Sequence, residues 1–178
     1  MANRQSLAEL QERLTRRLKE AETEAVSHAW LAVEAGIGRY LLPLAQSGEI
    51  HAWSSVFPVP HTKPWYAGLA NLRGDLQGVI DWAAFVEGST QGVLPAAERV
   101  TSESRLVCLS PALGVNAALL VDRLMGLRQP GDFSSAEPVA DPQQAFIRQR
   151  LKDGNGQWWS ELDLQMLCAD AQFLDVVA

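Results

Sequence analysis

Three histidines (His28, His51, His61) and two cysteines (Cys108, Cys168) are the residues here best suited to holding a metal ion. A zinc site draws its ligands from short paired spacings such as CxxC or HExxH. These five residues are scattered, so no metal site is expected, and the cysteines, far apart in apolar surroundings, should be buried, reduced thiols. Gly36-Ile37-Gly38 lacks the third glycine of a dinucleotide fingerprint, and no phosphate-binding GxxxxGK[ST] occurs. Ser110 precedes Pro111 and is not set in GxSxG, so it carries no nucleophile motif, which leaves only a triad assembled from distant residues. No cofactor is implied and an enzyme is not expected. Arg73-Gly74-Asp75 spells a cell-adhesion tripeptide, but glycine in a turn is sufficient reason for it.

With 178 residues, the chain is long enough to bury an independent core as one domain or two small lobes. It is 47% hydrophobic and 20% charged, within the globular range. Its formal charge of -6 opposes a nucleic-acid partner. The basic residues from Arg13 to Lys19 are interleaved with leucine and read as a solvated helix face. No stretch approaches the roughly 18 apolar residues of a membrane span, and the N-terminus lacks a secretory apolar region. No membrane insertion is expected, and the cytoplasm is the expected compartment.

Ser6 followed by Glu9 is a capping-box pattern, and Leu7, Leu10, Leu14, Leu18, Ala21 and Ala25 then form one narrow apolar stripe. Residues 1–28 are therefore expected to be an amphipathic helix. Its stripe either packs on the protein's own body or mediates self-association or contact with a partner helix. Residues 29–178 form the main domain and read largely as strands. Apolar runs 30–33 and 40–44 flank a Gly-rich turn, residues 50–56 suggest another strand, and the prolines of 57–64 make a stiff crossover. Runs 69–72 and 76–82 surround Arg73-Gly74-Asp75, and runs 105–109 and 115–121 form a further pair. Residues 87–103 and 128–142 read as long loops. Lys152-Asp153-Gly154-Asn155-Gly156 predicts a hairpin between 145–151 and 157–159, and 163–174 a short closing helix. The fold class is mainly β, a barrel or sandwich with a helix at each end.

One stretch resembles a known family. Phe57-Pro58-Val59-Pro60 opens a proline-rich lead-in, Trp65 and Tyr66 follow, then Gly68-Leu69-Ala70-Asn71-Leu72-Arg73-Gly74 and Val79-Ile80-Asp81. This resembles the hallmark of CheW-like adaptor domains, G-hydrophobic-x-N-L-R-G followed by V-[IV]-D. Tyr40-Leu41-Leu42-Pro43-Leu44 with Glu49-Ile50, and Leu119-Leu120-Val121-Asp122-Arg123-Leu124, fit the same family in order. The match is looser at Trp159-Ser160-Glu161-Leu162-Asp163-Leu164. The N-terminal helix, the Pro60-His61-Thr62-Lys63-Pro64-Trp65 wording and this ending look more like the pilus-associated branch than the flagellar one. Trp82-Ala83-Ala84-Phe85 departs from the flagellar pattern, so flagellar contacts are not carried to it.

The resemblance implies two intertwined five-stranded β-barrels and no active site. It implies a scaffold joining the cytoplasmic tip of a methyl-accepting chemoreceptor to the regulatory domain of a CheA-type histidine kinase, here in twitching motility driven by type IV pili. The alternatives are a flagellar-type coupling protein and a self-associating β-domain. Arg73 matches the family's coupling arginine and is either an interface residue or an internal staple of its turn. Asn71 and Gly74 suit the turn's backbone. Glu49 matches a family strand glutamate and is otherwise a solvated acid. Asp81 and Asp122 read as strand-end caps. Trp158 and Trp159 must point to opposite faces of a strand, so one of them needs a cover outside the barrel core: the N-terminal helix or a partner. Trp158 is the indole placed among the partner-binding candidates.

Overall fold

The computed structural model describes residue 12, residues 28–87 and residues 96–178. The N-terminal helix expected over 1–28 falls, but for Glu12 and His28, outside them. Among the described residues eleven strands form two sheets. One is six-stranded, in the order β8 (Arg123–Arg128), β1 (Trp30–Ala35), β2 (Gly38–Pro43), β11 (Trp158–Leu162), β10 (Ile147–Asp153), β9 (Phe133–Pro138). The other is five-stranded, in the order β3 (Ser47–Ala52), β6 (Arg105–Leu109), β7 (Ala117–Val121), β5 (Asp75–Asp81), β4 (Tyr66–Leu72). Neighbours are antiparallel except β2 with β11 and β5 with β7. From β1 onward the chain starts in the first sheet, builds the five strands of the second, and returns.

The continuous apolar runs follow from three cores. Leu31 and Val33 of β1, with Leu119 and Val121 of β7, face a common core between the sheets, joined by Trp82, Phe85, Phe146 and Phe173. Their neighbours point the other way: Trp30 and Ala32 meet Leu41, Leu151 and Trp159 inside the first sheet. Ala118 and Leu120 meet Leu72, Val79 and Leu106 inside the second. Strands buried on both faces cannot alternate apolar with polar, so β1 and β7 read as unbroken hydrophobic runs.

Several expectations are corrected. The first sheet has six strands where five were expected. The stretch read as a loop over 128–142 contains β9, an edge strand exposed along most of its length and therefore without an apolar period. The loop read over 87–103 contains a helical turn, Ala96–Arg99, too short to show a periodicity. A six-residue helix, α1 (Trp82–Glu87), follows β5, and the turn at Ala96–Arg99 is α2. The closing helix is two, α3 (Leu164–Ala169) and α4 (Ala171–Leu174). Asp170 separates them: its backbone is extended and its carboxylate accepts the Gln172 and Phe173 N–H groups, starting a new helix.

Candidate functional site

The β4–β5 hairpin closes on two residues, Arg73 and Gly74, with φ of 54° and 99°. Positive φ at both positions is the mark of a type I′ turn, whose twist suits a hairpin. Glycine adopts it freely, whereas an arginine there costs roughly 1–2 kcal/mol because its Cβ crowds the following carbonyl. Asn71 Oδ1 accepts the Gly74 N–H at 2.8 Å and holds the turn shut. Asn71 and Gly74 thus shape the backbone, and the turn projects the Arg73 side chain, 75% exposed, beyond the sheet.

Arg73 Nη1 lies 3.0 Å from Glu49 Oε2, and the same oxygen is 3.3 Å from His51 Nε2. Glu49 and His51 are two apart on β3, so their side chains share a face. Together with Leu72, Asp75, Gln77 and Cys108 they surround a cavity of about 340 Å³ between β3 and the hairpin. Cys108 is buried at its base. Burial raises the thiol's pKa, helped by the charges of Glu49 and Asp75, which keeps it protonated and unreactive. The cavity thus carries a forked cation at its rim; of the five sequence candidates Glu49 and Arg73 line it, and Asn71 and Gly74 shape the turn that bears Arg73. His51, Asp75 and Gln77 join them unannounced. The i, i+2 relation of His51 to Glu49 was a usable signal, while the other two become visible only once the hairpin register is known.

The fifth candidate, Trp158, lies apart on the six-stranded sheet. It is 37% exposed, with Lys152 Nζ over its ring at 5.4 Å. Trp159 is the indole that enters the sheet's own core, where its N–H donates to Asp153 Oδ2 at 3.0 Å and Arg128 lies over its ring at 5.7 Å.

The two strand-end acids do cap, and they do more. Asp81 Oδ1 accepts the Ala84 N–H at 3.3 Å at the start of α1, and Asp122 Oδ2 accepts the Gly36 N–H at 2.7 Å in the β1–β2 turn. Arg99, on α2, grips both: its Nη1 and Nη2 donate to the two oxygens of Asp81, and its Nε to Asp122 Oδ1 at 2.9 Å. Burial disfavours the guanidinium's charge, but the bonds to Asp81 and Asp122 outweigh it, so its pKa stands above the usual arginine value. Elsewhere Glu34 joins Arg39 on β2 to Arg123 on β8.

Comparisons with known proteins agree in direction. The family model described as the CheW-like domain matches residues 29–172. Protein PilI of Pseudomonas aeruginosa is 28% identical over 161 residues, covering 88% of this chain and 84% of that protein. The crystal structure of the scaffolding protein TtCheW from Thermoanaerobacter tengcongensis superposes with a TM-score of 0.64. That match covers 84% of this chain and 97% of the other at 19% identity, a likeness of fold.

Proposed function

The chain belongs to the CheW-like domain family, and from that membership we propose that it is an adaptor in the cytoplasm coupling a methyl-accepting chemoreceptor to a CheA-type histidine kinase in a system controlling type IV pilus twitching. It acts by holding these proteins side by side, without chemistry of its own. The pilus setting is supported by the similarity to Protein PilI, and the scaffolding role by the fold shared with a scaffolding protein. Among the described residues no helix is long and apolar enough to cross a membrane, which is compatible with that compartment. We read the two sheets as the two barrels of the fold. The Phe57–Leu69 bridge, which ties the chain beyond β3 back to β4, supports this for the five-stranded sheet.

The observation that carries the reading is the Arg73 turn. A bulky cation is kept in a backbone conformation that favours glycine, exposed, beside an acid that orients it, and this suits forked donation to a partner's carboxylate or carbonyls. Arg73 and Glu49 are the contact residues in this reading, while Asn71 and Gly74 serve by holding the turn.

The test is co-elution of the purified full chain with the regulatory domain of a CheA-type kinase and with a receptor-tip fragment encoded in the same genome. Wild type should form the complex. Arg73→Glu should weaken it without changing the far-ultraviolet circular dichroism, because the side chain is exposed. Failure of wild type to bind either fragment would defeat the adaptor reading, and unchanged binding by Arg73→Glu would remove Arg73 from the interface.

A further inference from the structure

The face around Trp158 lies on the other sheet and is independent of the Arg73 cavity. Trp158 and Ile37 line one depression of about 290 Å³, with Arg39, Arg150 and Glu137 around it. Ile37 is 97% exposed at the β1–β2 turn. Gly36, at φ 57°, supplies the turn's unusual backbone, so the turn itself has no need of an apolar side chain at Ile37. Trp158 is equally dispensable to the fold, since the core beneath β11 is filled by Trp159. A large aromatic and an aliphatic side chain exposed together are the usual anchors of an interface.

The charges choose the partner. Arg39 is held by Glu34. Among the described residues, Arg150 and Lys152 make no ion pair, although the whole chain carries a net charge of -6. Lys152 instead rests on the Trp158 ring, and the acid lining the depression is Glu137, opposite Arg150 on β9. An isologous contact with a second copy would bring the same surplus of cations from each side, with Glu137 the one acid lining the depression to meet Arg39, Arg150 and Lys152. A carboxylate-bearing segment would instead meet Arg150 and Lys152, cations that among the described residues are held in no ion pair, Arg150 with its fork.

We propose that the Trp158–Ile37 face is a second docking surface, taking a protein segment that carries an apolar anchor flanked by acidic residues. The test uses the full chain labelled with nitrogen-15 and two synthetic peptides: a central Phe-Leu pair flanked by Asp and Glu, and the same peptide with Lys in their place. The acidic peptide should shift the Trp158 indole and Ile37 amide signals and leave the Trp159 indole in place. Affinity should fall by more than about tenfold in Arg150→Glu and in Trp158→Ser, and weaken as salt is raised. Two independent surface variants keep the test valid should either fold poorly. Three results would overturn the proposal: equal binding of the Lys peptide; acidic-peptide shifts confined to residues around Arg73 or absent altogether; or a sedimentation dimer of the free chain that Trp158→Ser dissolves, which would assign the face to a second copy.

Discussion

Glu49 and Arg73 belong to opposite edges of the five-stranded sheet, yet their side chains meet at 3.0 Å. The meeting requires the sheet to curl, and the curl is secured where Phe57 and Leu69 exchange two backbone hydrogen bonds, of 2.8 and 2.9 Å. Gly68 makes that approach possible. Its φ is +134°, and a Cβ there would stand 2.2 Å from the Phe57 carbonyl oxygen. Gly68→Ala should therefore lower stability by about 2–4 kcal/mol, through backbone strain and loss of the bridge. Gly74→Ala, with nothing within 4 Å of its Cβ position, meets backbone strain alone and should cost about 1 kcal/mol. Urea unfolding of the two variants checks the contrast, and equal losses would mean that the Phe57–Leu69 closure contributes little.

In its proposed role Arg73 sets stability against recognition. Its ion pair with Glu49 joins side chains that are 75% and 61% exposed, and a pair so solvated is worth under about 1 kcal/mol. Its left-handed backbone costs as much or more, and asparagine tolerates that conformation better. Arg73→Asn should leave the urea midpoint unchanged or raise stability by up to about 1 kcal/mol, while weakening complex formation with the kinase or receptor fragment. A clear loss of stability would instead identify Arg73 as a staple of its turn.

The Asn71-Leu72-Arg73-Gly74 turn was legible in the sequence because turn chemistry is local: glycine and asparagine declare the backbone they permit. The Glu49–Arg73 pair was not, since adjacent strands in sequence give no hint that β3 and β4 end on opposite edges and are then curled together. The tryptophan pair lies between these cases. The alternation of a strand required one indole to face out, and only the register of β11 against β2 and β10 decided that it is Trp158. β9 was invisible because Ser134, Ser135 and Glu137 give an exposed edge no apolar pattern. Arg99 was missed for a related reason: a four-residue helix carries no period, and Asp81 and Asp122 looked like isolated strand-end acids.

That arginine supports a third prediction. Asp81 is 2% exposed and its carboxylate is matched by two Arg99 nitrogens, while Asp122, at the point where the chain returns to the first sheet, takes the third. Removing one partner from a buried pair strands the other charge, at a cost of about 3–5 kcal/mol. Arg99→Ala should show a loss of that order in urea unfolding. Adding Asp81→Asn should recover part of it, because asparagine keeps an oxygen for the Ala84 N–H and carries no charge to strand. A double variant no more stable than Arg99→Ala would mean that the loss comes from α2 coming away rather than from the unpaired acid.

Acid should act first through the groups whose charge the fold protects. The Asp153 carboxylate is held below its ordinary pKa, chiefly by the Trp159 indole N–H and further by the Gln157 and Asn155 backbone N–H groups and nearby Arg128, against the opposing effect of burial. Glu34 is lowered likewise, first by its bond to Arg123, then by Arg39, with burial again opposing. A carboxylate with a depressed pKa in the folded state contributes stability that is fully present above its unfolded value, about 3.9 for Asp and 4.3 for Glu, and is lost as pH falls through the lower folded value. These two groups should thus leave the urea midpoint flat above about pH 5 and lower it progressively below about pH 4. Asp153→Asn should be less stable at neutral pH, because its one carbonyl oxygen cannot accept both the Trp159 indole N–H and the Asn155 and Gln157 backbone N–H groups, and should lose less further stability in acid. Tryptophan fluorescence, to which all six tryptophans contribute, follows global unfolding at each pH and gives the two urea midpoints to compare. Parallel pH profiles for wild type and Asp153→Asn would show that the indole bond carries none of the acid sensitivity.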